Sequence, residues 1–498
     1  MLKDVIANWS YILISAVAAF ILFPFLVHTL GDEQYGVWLL ISSITGYFTL
    51  LQLGMPLANV RFLSRHLARE EYEQVNTVLR SNLIFYLGID LVALLVGGLL
   101  TIFLDELFEV PPAFIGAGRV ALLVATAELA LRLLGTLLEG VFHAQQNFVS
   151  LNVIRNLGVI LRTGATLLLV RFEDGLVWVA GIILAVTALQ IVASFLYLRR
   201  KYPLIRPGTG SFDRSGFAEV MRFSSMAMLL DVAGRLNFNT DAIVIAAVLT
   251  VSSIVPFGIA NNILTYLMQF VVGFSAALMP RVTASAARGD HQGVSGQYLL
   301  YSRLIAFVSV PTCTALWVYG DDFIALWMGE DYRTSSGQAL AVLALGYAFF
   351  LVQRGVGFPI LMGLAKMRAP SVLMLAGAVV NVGLSVSLAP SMGLQGIAWG
   401  TTIPLLLVAA SLALYLCRLL ELSPWAYFVR AAAAPALSAL PFLGCAYYLE
   451  EVLPVQGWGS FVAANGVCVL LTWGCVFLLL LTRAERGMML ESLRSRRA

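Results

Sequence analysis

The chain has 498 residues, of which 60% are hydrophobic and only 12% charged, with a mean hydropathy of +0.87. A water-exposed surface demands more charge than that, so a soluble domain is excluded and the chain reads as an all-α polytopic membrane protein. The formal net charge of +3 is small, no nucleic-acid partner is expected, and the information lies in where the charges fall.

A helix that crosses about 30 Å of hydrocarbon at about 1.5 Å per residue needs about 20 apolar residues. Taken in chain order, such runs fall at 9–29, 36–58, 81–104, 116–140, 150–171, 176–198, 223–248, 252–279, 303–320, 336–362, 371–389, 393–417, 431–449 and 458–482. That predicts about fourteen transmembrane helices. The opening MLKDVIANWS is not a short hydrophobic region followed by a cleavage site, so the first run is expected to stay as a helix. Five cysteines (Cys313, Cys417, Cys445, Cys468, Cys475) lie in or beside apolar runs without metal or redox spacing, and they read as small packing residues. No cofactor and no metal are expected.

Charges between the runs sort by side. With the N-terminus inside, the inner segments hold Lys3, Arg61, Arg65, Arg69, Arg80, Arg199, Arg200, Lys201 and the basic residues down to Arg497. The outer turns hold only Arg171 and Arg333 against Asp32, Glu33, Asp105, Glu106, Glu109, Glu173, Asp174, Asp321, Asp322, Glu330, Asp331, Glu450 and Glu451. This asymmetry follows the positive-inside rule and places both termini in the cytoplasm. All outer turns are short, so no external catalytic domain is expected, and the chain is not read as an enzyme.

Residues 20–65 set a pattern that returns about 219 residues later: Leu30 falls on Leu249, Arg69 on Arg288 and Glu71 on Asp290. Further on, Gly175-Leu176 matches Gly393-Leu394, Ala180 matches Ala398 and Tyr197-Leu198 matches Tyr415-Leu416. An internal duplication of this kind in a membrane chain points to a two-lobed transporter. The expected division is a six-helix lobe over 1–200, a basic Pro/Gly-containing linker over 201–222, a second six-helix lobe over 223–418, and an added helix pair with a basic tail over 419–498.

Charges at membrane depth are costly, about 2.5–3.5 kcal/mol each on insertion scales, and each calls for a reason. Glu128, Arg132, Gly135 and Glu139 share one helix face, as do Asn152, Arg155, Val159, Arg162 and Thr166 on the next helix. Asp231, Arg235 and Asn239 follow at steps of four, Gln353-Arg354 sits in the tenth run, and Asn262, Thr265 and Gln269 share a side of the eighth. Two readings compete. These stripes line a water-filled cationic cavity, or Glu128–Arg132 and Asp231–Arg235 are i,i+4 ion pairs that only hold helices together. Arg155 and Arg162 have no carboxylate within helical reach on their own helix, which favours an anionic ligand for them. Asp90, Asp241 and Glu128 are the candidates to take up a proton or bind sodium, against a plain hydrogen-bonding role in the bundle.

The stretch LGDEQYGVWLLISSITGYFTLLQLG (30–54) followed by Arg61 resembles the N-terminal signature of bacterial polysaccharide flippases. That family belongs to the multidrug/oligosaccharidyl-lipid/polysaccharide exporter superfamily. DAIVIAAVL (241–249), ALWMGEDY (325–332) and NVGLSVSLAPSMGLQGIAWGTTI (381–403) agree with it. Two positions depart: Gln52 stands where an acid is expected before Leu-Gly, and Phe257 where a tyrosine is common. The resemblance implies two six-helix lobes related by a pseudo-twofold axis around a cavity that opens alternately to each side. It implies an undecaprenyl-diphosphate-linked oligosaccharide as substrate, moved across the bacterial inner membrane, with H+ or Na+ as coupling ion and polysaccharide polymerase or assembly proteins as partners. On that reading Arg155, Arg162, Arg132, Arg354 and Arg235 are the head-group candidates, because arginine offers a planar fork of donors to phosphate. Asn152, Asn262, Gln269 and Gln52 are the polar cavity candidates. The rivals are a multidrug extruder of the same fold and a membrane polysaccharide polymerase or glycosyltransferase.

Overall fold

The computed structural model describes residues 2–171, 174–275 and 278–480. Among them the regular structure is helical throughout, with no strand. In chain order the α-helices are α1 (Leu2–Phe48), α2 (Met55–Leu67), α3 (Tyr72–Ile102), α4 (Leu104–Leu107), α5 (Ile115–Ala144), α6 (Phe148–Leu169), α7 (Gly175–Lys201) and α8 (Arg214–Val248). They continue as α9 (Ile254–Ser275), α10 (Leu278–Ala287), α11 (His291–Met328), α12 (Arg333–Val352), α13 (Phe358–Gly363), α14 (Arg368–Met392) and α15 (Leu394–Leu419). The last four are α16 (Pro424–Tyr427), α17 (Ala434–Leu437), α18 (Ala439–Val452) and α19 (Trp458–Cys475).

Eleven of the described helical segments are long and apolar enough to cross a membrane, so the chain is a multi-pass membrane protein. The difference from the expected fourteen lies in three places. α1 takes in two of the expected runs, yet at about 1.5 Å per residue its 47 residues exceed twice the hydrocarbon thickness. The chain breaks at Gly31 (φ 73, ψ 167), inside GDEQYG, in the left-handed region that glycine enters without a Cβ clash. α6 carries a polar stripe that dilutes its apolar content and is not counted, and α8 is counted only as the apolar piece Asn239–Val248 because the side chains of much of its first part lie outside the described residues.

The chain forms two compact units, Met1–Val255 and Pro256–Ala498. α8, which the sequence reading opens the second lobe with, packs against α1, α2 and α3 of the first unit. Ser43 donates to the Asn239 carbonyl, and Tyr47 and Thr240 share a short hydroxyl–hydroxyl bond. The segment between α7 and α8 is docked rather than free. Asn76 of α3 accepts from the Arg206 amide at 2.7 Å and donates to the Leu204 carbonyl, Arg80 donates to the Gly208 carbonyl, and Ile205 is buried beside Leu63, Leu79 and Leu198.

The duplication is written in the turns of the two units. After α2, Glu71 donates its amide to the His66 carbonyl at 3.0 Å; after α10, Asp290 does the same to Ser285 at 3.0 Å. The residue before each has positive φ, Glu70 at 58° and Gly289 at 71°. The same offset relates Gln146 (φ 52) to Ala365 (φ 55) and, by backbone conformation, Asp174 (φ 53) to Gly393 (φ 59), one position from the Gly175–Gly393 match read in the sequence. Three left-handed turns at one sequence offset are hard to reach by chance, because non-glycine residues seldom adopt that conformation. In the first turn His66 Nδ1 lies 2.6 Å from Glu71 Oε2, and this hydrogen bond holds the Glu71 carboxyl below its ordinary range. The added helices of the second unit pack on α11. Tyr319 meets Phe442 and Phe461 edge-on, and Arg303 donates to the carbonyls of Arg430 and Leu480. Tyr298 and Tyr427 stack at 4.9 Å, and both bond to Gln353 at the start of the π-helical turn Gln353–Gly357.

Candidate functional site

The first unit encloses a cavity of about 830 Å³ between α1, α5, α6 and α7, with Asn239 of α8 on its wall. Helical spacing delivers the side chains. Glu128, Arg132, Gly135 and Glu139 come from one face of α5, Arg155, Gly158 and Arg162 from one face of α6, and Thr187 and Gln190 from α7. Tyr11, Trp38, Ser42 and Thr49 come from α1 and its 3-10 extension, with Gln52 at the end of that turn. Close packing at glycine sets part of the wall: a Cβ on Gly158 would stand 2.0 Å from Gln190 Nε2.

The charges are arranged unevenly. Arg155 holds Glu139 through Nη2 at 2.8 Å and Nε at 3.3 Å, and its guanidinium lies 5.6 Å from the centre of the Tyr11 ring. The carboxylate absent from Arg155's own helix is therefore supplied by α5. Arg132 approaches Glu128 at 3.5 Å, and Glu128 also accepts from Thr187 at 2.9 Å. Both expectations for Glu128–Arg132 hold together, since the pair is an i,i+4 bridge and also lines the cavity. Arg162 lines the cavity without an ion pair or hydrogen bond among the described residues. Three arginines face two glutamates, which leaves one guanidinium in excess. A positive, polar chamber of this volume suits a hydrated anionic group.

Of the sequence candidates, Arg132, Arg155, Arg162, Glu128 and Gln52 come together here. Asn152 does not line the cavity. It donates to Asn8 Oδ1 at 2.6 Å and to the Phe148 carbonyl, tying α6 to α1. Asp90 is buried in α3 away from the cavity, with neither carboxylate oxygen hydrogen-bonded among the described residues. Asp241 is buried in α8 beside Thr240. The side chains of Asp231 and Arg235 lie outside the described residues, as does the basic tail beyond 480. Asn262 and Gln269 belong to α9 of the second unit, and so does Arg354, whose guanidinium lies 5.3 Å from the Phe358 ring centre with no carboxylate within bridging distance among the described residues. Thr187 and Gln190 escaped the sequence reading, although two polar residues three apart in an otherwise apolar run were a signal. Tyr11 and Trp38 carried none, since aromatic residues are ordinary in membrane helices.

The second unit lacks the cavity's polar set. At offset 218 Glu128 corresponds to Gly346, Arg132 to Phe350, Thr187 to Leu405 and Gln190 to Val408, and at offset 219 Glu139 corresponds to Phe358, Arg155 to Met374 and Arg162 to Asn381. Every one of these residues is buried, and Asn381 donates its amide to Thr401 Oγ1 at 3.0 Å. The charged set is thus a property of the first repeat, and the matching positions of the second carry uncharged residues.

Residues 1–285 match the family described as polysaccharide biosynthesis protein. Over 498 residues, covering 98% of this chain and 97% of the relative, the chain is 23% identical to the uncharacterized membrane protein EpsK of Bacillus subtilis (strain 168). Over 77% of this chain and 90% of the relative it is 20% identical to a putative O-antigen transporter of Shigella flexneri. Among solved structures it is similar to lipid II flippase MurJ in an inward closed conformation (TM-score 0.75, 13% identity, 96% of this chain and 99% of that one). It is also similar to an inward-facing multidrug MATE transporter of the MOP superfamily (TM-score 0.71, 14% identity, 84% and 98%). At such identities the two structures show the fold alone. The match over more than half of the chain shows the family: this multi-pass membrane protein belongs to the polysaccharide biosynthesis protein family, with the fold of the MOP superfamily.

Proposed function

We propose that the protein turns an undecaprenyl-diphosphate-linked oligosaccharide from the inner to the outer leaflet of the bacterial inner membrane, by alternating access and with a proton or sodium gradient as drive, for cell-surface polysaccharide synthesis. The observation that carries this reading is the unpaired Arg162 in a cavity that already holds Arg132 and Arg155. A diphosphate is anionic and unfavourable in hydrocarbon, and a guanidinium presents parallel donors to it. Arg155 and Arg162 lie seven positions apart on one face of α6, about 10 Å along the axis, a span two long side chains can close on one diphosphate. The uncharged residues at the matching positions of the second repeat support a one-sided head-group site. Arg354, Asn262 and Gln269 in the second unit, and Arg235 in the first, then bias the inward–outward equilibrium through contacts with the substrate made in one state only.

The charge asymmetry orients the chain with both termini in the cytoplasm. In a variant lacking the native thiols, cysteines placed at Glu106 and at Asp322 should react with an impermeant maleimide from the periplasmic side of intact cells. Labelling that needs permeabilised membranes reverses the orientation.

Reconstitution into vesicles tests the substrate. A fluorescent undecaprenyl-diphosphate oligosaccharide in the inner leaflet should become open to an impermeant glycosidase, faster under an imposed gradient, while ethidium stays in place. Ethidium efflux without lipid movement would assign the protein as a drug extruder. In the same vesicles Asp90→Asn or Asp241→Asn should remove the response to the gradient. Full response in both variants clears these two carboxylates of a coupling role.

A further inference from the structure

The second unit carries a separate basic groove, of about 630 Å³, on the pair α14–α15. These helices are antiparallel neighbours joined at Gly393, so the start of α14 and the end of α15 lie at the same end of the pair. That end presents Arg368, the first residue of α14, and Arg418, in the last turn of α15. Both are exposed, and neither has a carboxylate within bridging distance among the described residues. The half-buried Ser411 and Tyr415 line the groove with the two arginines, and Val372 and Leu414 continue it toward the apolar part of the helices. Beyond them the outward face stays apolar at helical spacing, through Val379 and Val386 on α14 and Leu407 on α15, which are 65%, 45% and 56% exposed. Both helices are membrane spans by length and composition.

Each part of this arrangement calls for a different part of one ligand. Two unpaired guanidinium groups at the rim of a span suit a phosphate with net negative charge. A hydroxyl-bearing wall suits the polar atoms next to the phosphate. An exposed apolar stripe leading from the rim suits acyl chains, which a free anion does not have. We propose that this groove binds an anionic phospholipid, its phosphate held between Arg368 and Arg418 and its acyl chains laid along the Val372–Val386 and Leu414–Leu407 faces. The site lies entirely within the second unit and shares no residue with the cavity of the first, so it does not depend on the substrate reading given above.

Native mass spectrometry of the full-length purified chain tests it with three probes: dioleoylphosphatidylglycerol, dioleoylphosphatidylcholine and inorganic phosphate. Phosphatidylglycerol should bind one site more tightly than phosphatidylcholine, and phosphate at millimolar concentration should not displace it. Basic residues at a membrane surface are worth about 1 kcal/mol each, so the double variant Arg368→Gln/Arg418→Gln should weaken this site about thirtyfold. Arg368→Lys/Arg418→Lys should fall between, because lysine keeps the charge and loses the fork. A double variant that elutes as the wild type does and melts at the same temperature in phosphatidylcholine, yet binds phosphatidylglycerol with unchanged affinity, overturns the assignment. Equal binding of the two lipids also overturns it, and so does displacement by phosphate alone, which would make the groove a free-anion site. If the glutamine variant fails to fold, the lysine variant decides: wild-type affinity there rejects the bidentate site.

Discussion

Arg162→Ala is expected to abolish surface polysaccharide while leaving the protein in the membrane at the wild-type level. Arg162 is the informative position because it stands in the cavity without an ion pair among the described residues. Its removal strands no carboxylate, so a loss of function cannot be laid to an uncompensated buried charge. Truncating one side of a desolvated charge contact costs about 2–5 kcal/mol, which predicts at least about a thirtyfold loss in transport. Arg162→Lys should restore part of it. Arg155 needs a different design, since Arg155→Ala leaves Glu139 without its partner at 2.8 Å. There the comparison is between Glu139→Gln and the double variant Arg155→Ala/Glu139→Gln. Transport should fall only in the second if Arg155 meets the anion, and in both if the ion pair merely holds α5 to α6. Normal polymer export from Arg162→Ala, at equal protein level, would remove the head-group site from this cavity.

The largest expected loss of stability is at Gly36. A Cβ there would stand 2.3 Å from the Val251 carbonyl oxygen and 2.9 Å from its carbon. Those are backbone atoms of the turn between α8 and α9, so no rotamer change relieves the contact. Gly36→Val should cost about 3 kcal/mol, the upper range for overpacking, and reduce the yield of monodisperse protein several-fold. Gly88→Ala is the matched control. No atom lies within 4 Å of its Cβ position, and replacing a helical glycine by alanine is worth up to about 1 kcal/mol. Melting curves of the two variants in one detergent separate the effects. Equal melting temperatures would mean that the second half of α1 yields freely around the Val251 turn.

The site was partly legible in the sequence, and the reason is periodicity. Glu128, Arg132 and Glu139 on one helix, and Arg155 and Arg162 on the next, are costly inside a membrane. Their spacing alone puts each set on a single face, so the expectation that the two faces share a cavity rested on local geometry. Which charge answers which is a different matter. Glu139 belongs to Arg155 through a contact across 16 positions, and nothing in either helix's own spacing distinguishes it from Glu128 as a partner. Asn152 shows the same limit from the other side: it shares the arginine stripe, yet it spends its amide on Asn8 of α1, about 144 positions away.

The amino-acid sequence by itself determined the helical membrane class, the internal duplication and the polar faces of α5 and α6. Apolar run length, charge placement and helical spacing are properties of neighbouring residues, and the cost of burying backbone or charge in lipid leaves few alternatives. The duplication shows again in the left-handed turns at Glu70 and Gly289, where the two units repeat one another residue by residue. Only the tertiary structure decided that α8 packs with the first unit, that the basic segment after α7 lies docked on Asn76 and Arg80, and that among the described residues Arg155 has a carboxylate partner while Arg162 has none. It also decided that Phe350, Phe358 and Met374, at the positions matching Arg132, Glu139 and Arg155, are buried. Those outcomes depend on which side chains from distant segments fill the same space, and packing of that kind has no local periodicity to announce it.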